Sequence, residues 1–152
     1  QQAQPDDWVL VHDAARPCVR QADIKKLMTQ LAHDPVGGLL AVPVRDTMKR
    51  VDTMPPATFR PPDRAEIRLE VVETVNREGL WHALTPQMFR LEALSNALQN
   101  VLKSGKLVTD EAGAMEKQGY RPVLIEGHAD NLKITHPQDL SWAELCLQQQ
   151  NV

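Results

Sequence analysis

The sequence has no excess of positive charge. Its 17 Lys and Arg face 20 Asp and Glu, a formal net charge of -3. That balance offers no basic surface to follow a phosphodiester backbone, so nucleic acid is not an expected partner. No apolar run approaches the ~20 residues that cross a bilayer. The opening QQAQPDDW lacks both the basic and the apolar region of a secretory signal. Neither a membrane nor export is therefore expected. Cysteine is scarce: Cys18 and Cys146 stand far apart in the chain without a CxxC pair, which reads as reduced thiols in a cytoplasmic protein. No HExxH or paired CxxC marks a zinc site. Internal repeats and low-complexity tracts are missing, and of seven glycines only Gly37 and Gly38 are adjacent. What remains is 152 residues with 42% hydrophobic side chains, enough for one domain with an ordinary core.

The apolar pattern alternates between strands and helices. Trp8 to Val11 reads as a short strand covered on both faces. Residues 21–33 place Ile24, Leu27, Met28 and Leu31 on one helical face, ending before Pro35 and the Gly37-Gly38 break. Leu39 to Val44 is a second buried strand, so the three elements match a parallel βαβ unit. Pro55, Pro56, Pro61 and Pro62 mark an exposed excursion. It is flanked by Met48–Val51 and Ile67–Val75, which predict a two-stranded arm. Such a ribbon is marginal alone in water, which points to packing on a second subunit. Leu91, Leu94, Leu98 and Leu102 predict a helix over 88–103, with Gly105 at its end. A shorter helix is expected from about Asp110 to Gln118, with Thr109 or Asp110 as N-cap. Val123–Ile125 and Leu132–Ile134 read as strands. A last helix opens at Thr135-His136-Pro137-Gln138, where Thr135 and Gln138 fit a capping box and Pro137 suits a first turn.

Ligands of open parallel sheets sit beyond the carboxyl ends of the strands. That expectation puts His12-Asp13 and Arg45-Asp46-Thr47 at one rim. An aspartate there can hold Mg²⁺, which takes one or two carboxylates and shares its other positions with water and phosphate. Arg16 and Lys49 are candidates to clamp phosphate, and Thr109-Asp110-Glu111 at a helix start adds donors favouring an anion. Each has a plainer reading. Asp13 can be a turn-former, Thr109 and Asp110 simple caps, and Arg77 a solvated charge on the arm. Lys133 in an apolar strand needs a partner, and Asp130 is the candidate. His33 and His136 read as surface or capping residues, and His128 as a loop residue. His12 has no Ser or Cys nucleophile beside it that would make a triad.

Taken in order, VLVHDAARP, AVPVRDTMKR, TVNREGLWHALTPQMF, VTDEAGAMEKQGY and IEGHADNLKITHPQDL closely resemble the 2-C-methyl-D-erythritol 4-phosphate cytidylyltransferase family over residues 8–147. The resemblance implies an α/β fold: a Rossmann-like nucleotidyltransferase sheet, mostly parallel, in three layers, with a protruding β-arm. It implies transfer of a cytidylyl group from CTP to methylerythritol phosphate with Mg²⁺. It also implies a homodimer joined through the arm at about 48–77. By the same resemblance Asp13 binds metal and substrate, and Arg16 acts in the same loop. Thr47, Arg77 and Thr85 surround the sugar phosphate. Thr109 and Asp130 make further substrate contacts, Ala14 lets the nucleotide approach, and Lys133 lies near the triphosphate and reacting phosphate.

Two departures accompany it. The family's glycine-rich nucleotide loop is not in this sequence. The chain is therefore expected to be the C-terminal two-thirds of one partial domain, with part of the sheet missing and without turnover by itself. The arm also carries a proline-rich insertion around 52–72. Two alternatives stand beside the enzyme: a ribitol-phosphate cytidylyltransferase on the same scaffold, and a non-catalytic module that dimerises through the arm.

Overall fold

The computed structural model describes residues 2–51, 69–105 and 107–150. These fall into two compact units, one running to Val42 and resuming at His82, the other comprising Pro43–Trp81.

The first unit is built on a four-stranded sheet. Its strands are β1 (Trp8–Val11), β2 (Gly37–Pro43), β5 (Trp81–Arg90) and β6 (Val123–Glu126), in the order β1-β5-β2-β6. The sheet is mixed: β1 runs antiparallel to β5, and β2 parallel to β6. The expected pair of β1 and β2 are not neighbours, because β5 lies between them. No strand was predicted at 81–90. A proline inside a run argues against a central strand, and Pro86 sits in the middle of this one.

Successive residues on a strand point to opposite faces, and the core divides accordingly. Leu39 and Phe89 face a cluster with Leu94, Ala97, Val101, Ala112 and Met115 from helices α2 (Leu91–Ser104) and α3 (Glu111–Lys117). Their neighbours Leu40 and Met88 face Leu27 and Leu31 of α1 (Gln21–Leu31), together with Leu84 and Ile125. Helix, sheet and helix thus form three layers, as expected.

The helices differ from expectation in their details. On α1 the buried positions are Asp23, Leu27 and Leu31, while Met28 is 48% exposed. Helix α2 starts at Leu91, because 88–90 belong to β5, and its buried stripe is Leu94, Ala97 and Val101, leaving Leu102 exposed. Arg90 supplies no side-chain cap. The first amides of α2 donate instead to the carbonyls of Asp7 and Pro5, and the Arg90 guanidinium lies 3.8 Å from the centre of the Trp8 ring. Gly105 ends α2 at φ 64°.

Asp110 caps α3, its carboxylate accepting from the Gly113 amide. Helix α4 (Pro137–Gln150) has Pro137 in its first turn, as expected, but its cap is not the predicted Thr135–Gln138 box. Asp139 performs it, accepting from the Thr135 amide and hydroxyl and the His136 amide. These bonds hold the Asp139 carboxyl below the usual range, the Thr135 amide contributing most. Residues 132–134, predicted as a strand, form an irregular segment.

The second unit contains the predicted two-stranded ribbon. β3 (Met48–Val51) pairs antiparallel with β4 (Val71–Val75), with an irregularity between Arg50 and Val51. Lys49 donates to the Thr74 hydroxyl and Arg50 pairs with Glu73 across it. Leu69, Val71 and Val72 are exposed. Most of the proline-rich insertion, and residues 67 and 68 of the predicted second strand, lie outside the described residues.

Candidate active site

A cleft of about 410 Å³ opens in the first unit where β1 ends. It is lined by Val11, His12, Asp13, Arg16, Ala83, Leu84, Thr85, Gln87, Thr109, Asp110, Glu111 and Lys133. Of the residues singled out from the sequence, the cleft brings together His12, Asp13, Arg16, Thr85, Thr109, Asp110, Glu111 and Lys133, and Ala14 lies in the same turn.

The turn after β1 is shaped by short hydrogen bonds. Asp13 Oδ1 accepts from the Ala15 amide at 3.0 Å, and the Arg16 amide closes the turn onto the Asp13 carbonyl. The Asp13 amide donates to Thr85 Oγ1 on β5 at 3.0 Å. That hydroxyl also lies 2.9 Å from His12 Nδ1, and His12 Nε2 is 3.0 Å from the Arg16 carbonyl. A carbonyl only accepts, so Nε2 carries a proton. In the neutral ring, Nδ1 is then the acceptor for the Thr85 hydroxyl.

Lys133 Nζ sits 2.7 Å from Asp13 Oδ2. Its predicted partner was Asp130, the nearest acid in sequence; the partner in space is Asp13. The Lys133 hydrogen bond, then the Ala15 amide, keeps the Asp13 carboxyl below the usual carboxylate range. The pair therefore presents an anion and a cation side by side at the strand end.

Lys133 reaches this position because the irregular segment from Gly127 onward is tied down along its length. The Gly127 amide donates to the Ala41 carbonyl. Asp23 of α1, almost fully buried, accepts from the His128 amide at 3.0 Å and pairs with His128 Nδ1 at 2.8 Å. Asp130 is gripped by the Arg20 guanidinium, at 2.6 Å to Nη2, and by Gln150. Burial alone pushes Asp130 upward, but Arg20 and Gln150 more than offset it and hold it low. Asn131, 1% exposed, donates to the Thr85 carbonyl, and its own carbonyl accepts from Arg16 Nη1 at 2.7 Å. The Ile134 amide closes onto the Ala15 carbonyl at 2.8 Å.

Arg16 is thereby drawn inward, and burial lowers its pKa, partly countered by Asp13. Its Nε and Asn131 Oδ1 are buried without a hydrogen-bond partner. Asp130 is not among the residues lining the cleft; its contacts are Arg20 and Gln150. Thr47, Arg77, Arg45 and Asp46 belong to the second unit, where the Arg77 guanidinium donates to the Arg45 carbonyl and the Val44 amide to that of Leu80. Lys49, expected to clamp phosphate, is on the ribbon.

Two residues of the site carried no usable sequence signal: Gln87 and Asn131. Gln87 is fully buried, donating to Asp110 Oδ2 at 3.0 Å and accepting from the Ala112 amide at 2.7 Å, so it fixes the start of α3 against the cleft.

Among the described residues, no three His, Cys, Asp or Glu side chains converge as a metal cage. Asp13 still fits a hard cation: its carboxyl is held ionised, and two protein partners leave lone pairs free. One carboxylate suits Mg²⁺, which draws its other ligands from water and phosphate.

Comparison with known proteins decides the family. The model of the IspD family, described as 2-C-methyl-D-erythritol 4-phosphate cytidylyltransferase, matches residues 1–149. The chain belongs to that family. An IspD relative from Pseudomonas fluorescens (strain SBW25), named 2-C-methyl-D-erythritol 4-phosphate cytidylyltransferase, is 54% identical over 140 residues. That match covers 92% of this chain and 54% of the relative. A crystal structure of a 4-diphosphocytidyl-2C-methyl-D-erythritol synthase superposes with a TM-score of 0.77 at 41% identity, over 95% of this chain and 58% of that one. The Francisella tularensis IspD structure gives 0.75 at 37% identity, over 94% and 60%. The chain thus spans about half the length of the curated IspD relatives it matches.

Proposed function

We propose that the full-length protein transfers a cytidylyl group from CTP to 2-C-methyl-D-erythritol 4-phosphate. The products are 4-diphosphocytidyl-2-C-methyl-D-erythritol and pyrophosphate, an intermediate and by-product of isoprenoid precursor synthesis. This chain carries the phosphate-handling side of that site. The observation that supports the reading is the Asp13–Lys133 pair at 2.7 Å in a cleft shared with Arg16 and Thr109.

The reaction is an in-line displacement. A phosphate oxygen of methylerythritol phosphate attacks the α-phosphorus of CTP, and the bond to the bridging oxygen breaks to release pyrophosphate. A phosphate monoester is already a nucleophile, so the protein's task is positioning and charge neutralisation rather than proton removal. Lys133 and Arg16 offset the phosphate charge. Asp13 anchors Lys133 and would hold Mg²⁺, whose contribution when bound is to neutralise phosphate charge. Thr85 acts through Asp13 and His12, whose positions it fixes. Thr109 offers a hydroxyl beside the capped start of α3, and the Ala14 side chain is short enough for the nucleotide to approach. Asp130 keeps the Lys133 segment in place, and Thr47 and Arg77 are assigned to the sugar phosphate by resemblance to the family. Small charged phosphates as substrates fit a cytoplasmic location.

The test is cytidylyl transfer by the full-length protein and its variants. Asp13→Ala and Lys133→Ala are each expected to lower kcat/KM by about 10²-fold or more, in line with loss of a charge-stabilising group, while both variants remain folded and unfold cooperatively. Near-normal rates in both variants would reject these roles, and turnover of ribitol phosphate in preference to methylerythritol phosphate would reject the substrate.

We also propose a homodimer through the arm at 48–77. The exposed Val71 and Val72 on a ribbon too small to be stable alone support it. Sedimentation of the same preparation should give twice the chain mass; a monomer overturns this part.

A further inference from the structure

Remote in the sequence, Cys18 and Cys146 meet in the fold. Cys18 is fully buried directly after the Asp13–Pro17 turn, and its Sγ donates to the Ala143 carbonyl of α4 at 3.5 Å. Farther along that helix, Gln150 Nε2 donates to the Cys18 carbonyl at 2.9 Å. Cys146 lies between these two contacts, at i+3 from Ala143 and i−4 from Gln150, which places it on the same helix face. Cys146 is also close enough to help raise the pKa of the Cys18 thiol. Both are free, and Cys146 is partly exposed where Cys18 is not. Cytidylyl transfer uses neither.

We propose that Cys18 and Cys146 form an oxidisable pair, which a peroxide converts into an intramolecular disulfide clasping the Asp13–Arg16 turn to α4. The two sulfurs have different parts. Burial, reinforced by the nearby Cys146 and Asp130, pushes the Cys18 thiol up, so it remains protonated and sheltered. Cys146, partly exposed, is the sulfur an oxidant can reach, and a thiolate is the form that reacts. The thiolate attacks one peroxide oxygen, the O–O bond breaks, and the departing hydroxide is protonated to water, leaving a sulfenic acid on Cys146. The Cys18 sulfur then attacks the Cys146 sulfur. The S–S bond forms, the S–O bond breaks, and the leaving hydroxide takes the Cys18 proton as a second water. The thiols lose two electrons between them, and the peroxide is reduced to two waters.

The test is peptide mapping of the full-length protein, fully reduced, treated with hydrogen peroxide and digested without reductant. The expected result is a joined pair of peptides carrying Cys18 and Cys146, lighter than their reduced sum by two hydrogens and separated again by dithiothreitol. In Cys146→Ser, Cys18 should remain a free thiol at the same dose. In Cys18→Ala, Cys146 should run on to the sulfinic acid, because no second thiol intercepts the sulfenic acid. Sulfinic Cys146 in the parent protein without the joined pair overturns the proposal. So does a Cys146 disulfide formed only between chains.

Discussion

The Gln87 amide is engaged at both ends, with Asp110 Oδ2 on its nitrogen and the Ala112 amide on its oxygen, and the side chain is 1% exposed. Leucine at this position keeps most of the volume but leaves the Ala112 amide without its buried acceptor. An orphaned buried group costs about 1–3 kcal/mol. Gln87→Leu is therefore expected to lower the unfolding free energy by that amount, read as a lower urea midpoint at an unchanged m-value, and a midpoint equal to the parent's would refute this account of Gln87. At this scale the sequence was legible where position alone carries the chemistry. Asp13 follows a strand, so the rim assignment needed no knowledge of its partners. Gln87 and Asn131 matter because of groups on other elements, and nothing near them in the chain reveals those groups. Lys133 shows the same limit. An unpaired lysine rightly demanded an acid, but the nearest acid in sequence was occupied by Arg20, and the answer lay at the other end of the chain.

Two adjacent glycines open β2, and neither tolerates a side chain. At Gly37, where φ is 106°, a Cβ would stand 2.2 Å from the Met88 carbonyl oxygen; at Gly38 it would stand 2.1 Å from that of Val123. The strand start is wedged between the backbones of β5 and β6. Asp34 Oδ1 holds it there by accepting from the Val36 and Gly37 amides. Gly38→Ala must push β2 and β6 apart, since backbone cannot swing aside as a long side chain can. We expect a loss of about 3 kcal/mol or more, the upper end of overpacking costs, read from the urea midpoint; a loss below about 1 kcal/mol would show that the ladder yields. From the sequence, Gly37-Gly38 looked like the break after a helix, and the break is real. That both are also packing positions depends on which strands flank them. The same dependence explains why β5 was missed and why α4 is capped by Asp139 rather than Gln138: several local patterns were available, and tertiary contacts chose among them.

Asp13, Asp130 and Asp139 are all held below the ordinary carboxylate value in the folded protein, by Lys133 and Ala15, by Arg20 and Gln150 against burial, and by the Thr135 and His136 amides. As pH falls, the unfolded chain takes up these protons first, near the unperturbed ~3.9. Their contribution to stability is thus complete above that value and is lost as pH drops through the depressed native values. Urea midpoints of the full-length protein should accordingly fall below about pH 4, and Asp139→Asn, which leaves the cleft untouched, should flatten part of that fall. An acid limb identical to the parent's would exclude Asp139 as a contributor. The links from the Arg16 guanidinium to the Asn131 carbonyl and from the Ile134 amide to the Ala15 carbonyl also have a meaning in time. On the ribosome the Asp13 turn emerges 120 residues (133 − 13) before Lys133 and must wait for it. A nascent chain halted at β6 would hold the four strands described here but not Lys133, so the ion pair closes only after the sheet that frames it has been made.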